Sequence, residues 1–346
     1  MPPTIKDVAR VAGVSVATVS RALNGADNVL PGTRQRIQDA ARDLRFTPSG
    51  AARSLITRRT DTIGALLPDL YGEYFSELIR GIDQAARARG LHLLVSSSHG
   101  DADEAAAALR AMNGRVDGLL VMSPHADADF LQHNLPVGLP AVLINTGAEL
   151  PGHARFVVDN FGGALAMTRH LVAAGRKRIA FIAGPKGNQE AQERLRGYRA
   201  GLKPGMRELV LEGDFSQETG FNAGRRIAQT RPRPDAVFAA NDLTAIGCLA
   251  ALGEAGLRVP EDVALAGFDD IPIARYVAPA LTTIRVPIAA LGAAALEMLA
   301  KGVEAPGTQV SLSTAMPVEL IVRRSCGTGP PLQPFLERPA AAPPAH

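Results

Sequence analysis

Thr4-Ile-Lys-Asp-Val-Ala-Arg-Val-Ala-Gly13-Val-Ser15-Val-Ala-Thr-Val-Ser-Arg21-Ala-Leu-Asn24 reads as two short helices around a glycine turn. Thr4 is placed to cap the first, with Asp7 three residues on completing a box-like pair. Ile5, Val8, Ala9 and Ala12 fall on one face at helical spacing. Gly13 is free to take the positive φ that a chain reversal needs. Ser15 is placed to cap the second helix, which buries Val19, Ala22 and Leu23 and turns Val16, Ala17, Ser20, Arg21 and Asn24 outward. The pattern fits a helix-turn-helix, whose second helix enters the DNA major groove with its N-terminal side chains on base edges. An ordinary αα-hairpin is the commoner structure at large. Against it stand an outward face almost without acid and a third, arginine-bearing helix that follows.

Charge supports the same reading. Residues 1–60 hold ten Lys/Arg against four Asp, a net of +6, while the whole chain is +3, so the remainder carries −3. A basic head on a mildly acidic body suits phosphate attraction. The third helix is expected over Thr33–Phe46, with Ile37, Ala40, Ala41 and Leu44 buried and Arg34, Arg36, Arg42 and Arg45 solvated or facing phosphate. Ser49–Leu55 reads as one or two helical turns, too short to be stable alone in water, and so as a switch element between head and body.

From Thr62 the chain alternates apolar runs with amphipathic helices. Strands are expected at Ile63–Leu67, Leu91–Ser96, Gly118–Met122, Ala141–Asn145 and Ala154–Val158, then at Arg178–Ala183, Ala236–Ala239 and Val263–Gly267. Helices lie between them, among them Phe75–Arg89, Ala102–Met112, Phe161–Ala174, Gln189–Leu202, Ser216–Thr230 and Leu243–Gly253. Repeated βα units with nearly continuous apolar strands imply parallel sheets covered on both faces. Two such series give an α/β body of two doubly wound parallel-sheet lobes behind an all-α helix-turn-helix head. The boundaries read as a helix-turn-helix DNA-binding domain over 1–48, a short helix and linker over 49–60, a two-lobed α/β body over 61–326, and a Pro/Ala-rich disordered tail over 327–346. No apolar run reaches transmembrane length, and the N-terminus lacks the apolar core of a signal peptide. Cys248 and Cys326 have no metal or redox spacing and are expected as reduced thiols in a cytoplasm.

The string V-S-V-A-T-V-S-R-A-L-N, with F-T-P-S-G-A-A-R-S-L, T-I-G-A-L-L-P-D, Asn241-Asp242, Gly267-Phe-Asp-Asp270 and Leu281-Thr-Thr-Ile284 in that order, resembles the lactose/galactose-repressor (LacI/GalR) family of bacterial transcription regulators. The resemblance implies lobes of periplasmic-binding-protein type, crossed three times by the chain, with helix Ile288–Ala300 returning to the first lobe and strand Met316–Val322 to the second. In the head it assigns Val16 and Ala17 to operator discrimination and brings Asn28 near DNA. Arg21 is the best candidate for a base contact, since guanidinium can bridge guanine O6 and N7. Ser15, Thr18, Asn24 and Thr33 suit phosphate contacts, about evenly balanced against simple capping and turn roles. Leu55 matches the leucine that paired hinge helices wedge between base steps in the minor groove.

In the body, ligand contacts should converge on the cleft between lobes, at the C-terminal ends of strands. Tyr71, Tyr74 and Phe75 offer ring stacking, although Phe75 equally suits a core face. By resemblance Arg194 grips ligand oxygens, Asn241 and Asp269 hold hydroxyls, and Phe215 is an aromatic lid. Loop capping is the competing role for Asn241 and Asp269. Asp159-Asn160 and Asn188 are weaker candidates. Val286 stands where some members carry glutamine, which predicts a more apolar floor. No cofactor, metal site or catalytic constellation is legible: the histidines lack ligand spacing, Gly184-Pro-Lys-Gly187 lacks the end of a Walker loop, and no G-x-G-x-x-G opens a helix. The reading is a ligand-responsive, sequence-specific repressor and not an enzyme, binding a palindromic operator as a homodimer or dimer of dimers. The resemblance implies a sugar or sugar derivative as effector, with a purine or nucleoside as runner-up because Tyr74, Phe75 and Phe215 resemble the stacking residues of purine-responsive members. A periplasmic-type solute-binding protein would share the body but would have no DNA head.

Overall fold

The structure, a computed structural model, describes residues 3–23, 28–47, 59–123, 127–147, 149–305 and 312–328. The chain divides into two compact units, Met1–Asp61 and Thr62–His346. Asn24, Leu55, the helix expected over Ser49–Leu55 and the tail from residue 329 lie outside the described residues.

In the first unit, α1 (Ile5–Ala12), α2 (Val16–Leu23) and α3 (Pro31–Asp43) enclose a small apolar core. Thr4 donates to Asp7 Oδ2 from its backbone N at 2.9 Å and from Oγ1 at 2.8 Å. Those bonds and Arg10 favour the ionised carboxyl, so Asp7 titrates below the usual carboxylate range. Gly13 closes α1 at φ 66°, where any Cβ would be strained. Ser15 Oγ accepts from Thr18 N at 3.2 Å, which satisfies one of the donors that α2 leaves exposed at its start. Val8, Val19 and Ile37 are fully buried and meet at the centre.

Four details depart from the sequence reading. Helix α3 begins at Pro31, before Thr33, because proline's fixed φ and missing N–H suit a first turn. It ends at Asp43, where Arg45 takes φ 51° and Phe46 N donates back to Ala41 O at 2.8 Å. Arg34 is half-buried rather than solvated, and its Nη1 donates to the Ala22 carbonyl at 3.2 Å, closing the C-terminal end of α2. Leu23 is only half-buried and packs at the margin of the core.

The second unit starts with β1 (Thr62–Leu67), α4 (Glu73–Ala88), β2 (His92–Ser97), α5 (Ala102–Met112), β3 (Gly118–Met122), α6 (Ala128–Asn134), β4 (Ala141–Ile144) and β5 (Ala154–Val158). The chain then builds α7 (Asn160–Ala173), β6 (Ile179–Ile182), α8 (Gln189–Gly201), β7 (Leu209–Leu211), α9 (Gln217–Gln229), β8 (Ala236–Ala239), α10 (Asp242–Glu254) and β9 (Ala264–Ala266). Last come β10 (Thr283–Arg285), α11 (Ile288–Glu304), β11 (Ser313–Met316) and β12 (Glu319–Ile321).

Two parallel sheets result, in the orders β11-β5-β4-β3-β1-β2 and β7-β6-β8-β9. Strands β3, β4, β6 and β8 are buried along their whole length, as their unbroken apolar runs require when helices cover both faces. Helix α11 returns to the first lobe and packs on α4 at backbone distance: a Cβ on Gly81 would run into the Ala289 carbonyl, and one on Gly292 into that of Leu78.

The strand expected over Met316–Val322 splits at Pro317. Its first part extends from Ser313 to Met316 and pairs parallel with β5 in the first lobe. Its second, Glu319–Ile321, pairs antiparallel with β10 in a separate two-stranded sheet. Proline has no N–H to continue the ladder, so the chain leaves one sheet and joins another there. Both cysteines are buried thiols without a disulfide. No helix among the described residues is long and apolar enough to cross a membrane.

Candidate functional site

Within the second unit, loops at the C-terminal ends of strands from both sheets enclose a cleft of about 340 Å³, within the size range of small-molecule sites. Tyr74, Phe75, Arg194, Phe215, Asn241 and Asp269 all line it, and so does Asn188. Several lining or adjoining residues occupy left-handed backbone: Asn145 at φ 48°, Phe215 at 72°, Asp269 at 113° and Asp270 at 56°. Non-glycine residues in such conformations need the surrounding structure to hold them.

Arg194, on α8, is 3% exposed and committed on three sides. Its Nε donates to Asn160 Oδ1 at 2.8 Å and its Nη1 to the Ala240 carbonyl at 2.7 Å. The guanidinium carbon lies 3.9 Å from the Phe268 ring centroid and 5.7 Å from that of Phe215. Nη1 also lies 3.1 Å from Asp269 Oδ1, yet that buried oxygen receives no well-directed hydrogen bond. The Asp269 carboxyl titrates at about 7: burial pushes it up, Arg194 opposes this, and Glu190 adds to it. A carboxyl raised from 3.8 to about 7 by folding binds a proton in the native chain that the unfolded chain has lost. Its contribution to stability is therefore complete below the unfolded value and is lost as pH rises through about 7.

The other residues divide by how their polar atoms are used. Tyr74 and Phe75 meet edge to face, centroids 5.4 Å apart at 83°. Asn145 Nδ2 donates to the Tyr74 hydroxyl at 3.2 Å and to Glu190 Oε1 at 2.8 Å. Burial, with the nearby charges of Glu190 and Asp269, raises the Tyr74 hydroxyl well above its ordinary range. Burial likewise raises Glu190, against the pull of Arg194. Asn241 lines the cleft, but its Oδ1 caps α10 by accepting from Thr244 N at 3.0 Å while its Nδ2 donates to Phe215 O at 3.0 Å. The capping role thus accounts for most of this side chain, which fixes the loop that carries Phe215.

Asn188 and Asp159 are also helix caps, on α8 and α7, and Asn160 is a buried acceptor for Arg194. Val286 is absent from the described cleft lining and sits in a separate depression with Asp270, Arg275 and Arg285, so the expected apolar floor is not there.

Glu190 and Asn145 are site residues that the sequence reading misses. A glutamate in the first turn of a helix ordinarily answers the helix dipole in solvent; here Asn145 from the first lobe covers it. The usable signal is Asn145 itself, an asparagine just past a fully apolar strand.

On the head, Ser15, Val16, Ala17, Arg21 and Asn28 are exposed, and Thr18 and Thr33 are half-buried. Arg21 Nε donates to Ala17 O at 3.3 Å, an intrahelical bond, and among the described residues neither terminal nitrogen of the guanidinium has a hydrogen bond. Ser15 Oγ and Thr18 Oγ1 are 2.8 Å apart and bond to each other.

A family profile described as "Bacterial regulatory proteins, lacI family" matches residues 4–49, and one described as "Periplasmic binding protein-like domain" matches residues 168–326. The HTH-type transcriptional repressor PurR of Edwardsiella ictaluri is 34% identical over 334 residues, covering 94% of this chain and 98% of that protein. The ribose operon repressor of Escherichia coli is 37% identical over 315 residues, covering 88% and 94%. Among solved structures, the lac repressor dimer bound to operator and the anti-inducer ONPF superposes with a TM-score of 0.83 at 27% identity, covering 94% of this chain and 99% of that one. The CelR–cellobiose complex superposes with a TM-score of 0.69 at 32% identity, covering 93% and 99%. These relatives are transcriptional regulators, not enzymes. With a helix-turn-helix head, two parallel-sheet lobes and a cleft between the lobes, the chain belongs to the LacI family of bacterial regulatory proteins, ligand-responsive repressors that bind DNA.

Proposed function

We propose that the effector is a sugar or sugar derivative held in the cleft around Arg194 and Asp269, with Tyr74, Phe75 and Phe215 against its apolar faces, and that its binding changes the protein's affinity for a palindromic operator. The observation that carries this reading is the buried Asp269 Oδ1 beside a guanidinium, an acceptor lacking its donor. A hydroxyl both donates and accepts, so it suits such a pair. Similarity to a ribose operon repressor and to a cellobiose complex supports the same class. The protein acts in the cytoplasm as a homodimer, each head reading half of the operator through Ser15, Val16, Ala17, Thr18, Arg21, Asn28 and Thr33.

Operator fragments selected from a random pool, titrated with and without ligand, test the proposal. Ligand must shift operator affinity, and operator must shift ligand affinity by the same factor; equal ligand uptake by free and DNA-bound protein would refute it. Arg21→Ala is expected to cost about 1–3 kcal/mol at one base position and to relax sequence preference there. Uniform weakening over all sequences would instead make Arg21 a phosphate contact. Ligand hydroxyls that donate to Asp269 favour its charged form, so binding near pH 7 should release protons. Calorimetry in two buffers of different ionisation enthalpy measures this, and the release should vanish above about pH 9, where the carboxyl is already ionised. Binding without proton release at pH 7 would remove Asp269 from the contact set.

A further inference from the structure

Four carboxylates, Asp69, Glu190, Asp214 and Asp269, and a single guanidinium, Arg194, are among the described residues lining the cleft, together with His99. Asp69 and Asp214 are turned to their own loops: Asp69 Oδ1 accepts from Leu70 N and Tyr71 N, and Asp214 Oδ1 from Ser216 N. The deep charges are the other three, whose side chains are 12% (Glu190), 5% (Asp269) and 4% (Arg194) exposed. One cation therefore stands between two buried carboxylates, 3.1 Å from Asp269 and 4.0 Å from Glu190. Its Nε and Nη1 donate to Asn160 and the Ala240 carbonyl, and its Nη2 faces Glu190.

Glu190 is the residue that tips this balance. A lone Arg194–Asp269 pair would be neutral, and an entering anion would compete with Asp269 for the guanidinium on even terms. With an ionised Glu190 present the positive charge is matched even while Asp269 keeps its proton, and over-matched once Asp269 ionises. A phosphate or carboxylate would lose its hydration and gain no unshared cation, a cost that low-dielectric surroundings enlarge. Nor can it supply what the site lacks, since an ionised phosphate or carboxylate has no hydrogen for Asp269 Oδ1. An uncharged polyol has many. Glu190 is also fixed in place across the lobes, because Asn145 holds its Oε1 at 2.8 Å while Asn145 Oδ1 is itself pinned by Val158 N at 3.2 Å.

We propose that Glu190 determines effector specificity, restricting the cleft to uncharged, hydroxyl-rich molecules and rejecting phosphorylated and carboxylated sugars. The proposal rests on the cleft being the effector site, and it separates classes which that reading leaves together. Rejection by an uncompensated charge is a route to specificity distinct from added attractive contacts.

The test uses the full-length protein and matched compounds: ribose and ribose 5-phosphate; glucose, glucose 6-phosphate and gluconate; cellobiose; and hypoxanthine. Binding is followed by thermal shift and calorimetry. At least one neutral sugar should bind, with each charged counterpart of a binding sugar weaker by about 100-fold or more. Glu190→Gln keeps the acceptor for Asn145 and removes the charge, so it should shrink that ratio by roughly tenfold or more. Glu190→Ala makes the same charge test if the glutamine variant does not melt cooperatively. The proposal is overturned by an anionic sugar that binds as well as its neutral parent, by hypoxanthine outcompeting every neutral sugar, by silence of all neutral sugars, or by an unchanged ratio in the variants. An anionic sugar that binds and shifts operator affinity would sink the role of Glu190 and leave the function standing. A strongly preferred neutral sugar that leaves operator affinity untouched would do the reverse.

Discussion

Arg194→Ala is expected to abolish the effector response while operator binding without ligand survives. The side chain joins Asn160 on α7, the Ala240 carbonyl after β8, and Asp269 after β9, and its guanidinium lies over the Phe268 ring. Truncation removes the cation that faces Asp269 and Glu190, leaving two buried carboxylates with no countercharge. Breaking a buried pair from one side costs about 3–5 kcal/mol. Part of that loss is recoverable, since Arg194 is what restrains the rise of Asp269 and Glu190, and without it both carboxyls keep their protons to higher pH. The melting deficit should accordingly be smaller at pH 6 than at pH 9. Arg194→Lys should not rescue, because an ammonium cannot reproduce three planar contacts and a ring stack. Operator titrations with and without ligand, with melting curves at the two pH values, check the prediction. A variant that still responds to ligand would remove Arg194 from the site.

Asp242→Ala is expected to be the most damaging change away from the cleft's polar groups. Asp242 is fully buried at the start of α10. Its Oδ1 accepts from Thr283 Oγ1 at 2.6 Å and its Oδ2 from Ile271 N at 2.9 Å, tying α10 to the turn after β9 and to β10. Gly267 makes the fit possible, since a Cβ there would run into Oδ1. Burial, with the charge of Asp269, raises the Asp242 carboxyl well above its usual range, against the two hydrogen bonds that favour ionisation. Alanine leaves two buried donors unsatisfied at about 1–3 kcal/mol each, a combined loss of about 2–6 kcal/mol. Urea unfolding at neutral pH measures this, and a midpoint indistinguishable from that of the parent protein would show the network to be dispensable. Because Asp270 follows directly and bonds Arg285 and Arg323 at 2.7 and 2.5 Å, loosening the turn should also weaken effector binding.

Helix and strand periodicity made most of the second unit legible. Gly118–Met122 and Ala102–Met112 have the expected ends because their apolar patterns stop sharply. Short edge elements were not legible. The three residues of β7, Leu209–Leu211, are apolar but only one is buried, and a run of three is too short to mark a strand. Thr283–Arg285 was not legible because a three-residue strand with threonine and arginine at its ends has no apolar run, although Thr283 and Ile284 are buried. Pro317 was the readable warning that Met316–Val322 is not one strand.

In the cleft, the family resemblance points to Arg194, Asp269 and Phe215, and all three line it. The link from Glu190 to Asn145 joins residues 45 apart in sequence, and nothing local to either predicts it. The double commitment of Asn241 shows the opposite limit: a residue read as a ligand contact is largely occupied in holding its own loop.

The backbone contact of Gly81 with Ala289 sets an order of events during synthesis. Everything from Thr62 to Val158 emerges from the ribosome well before the covering helix at 288–304 and the edge strand at 313–316 that complete the same sheet. The early segment must wait, its apolar face open, until translation is nearly done. A nonsense codon near residue 280 would thus strip both lobes of late-arriving parts, and the fragment should be held by chaperones or degraded rather than accumulate as a dominant-negative DNA binder.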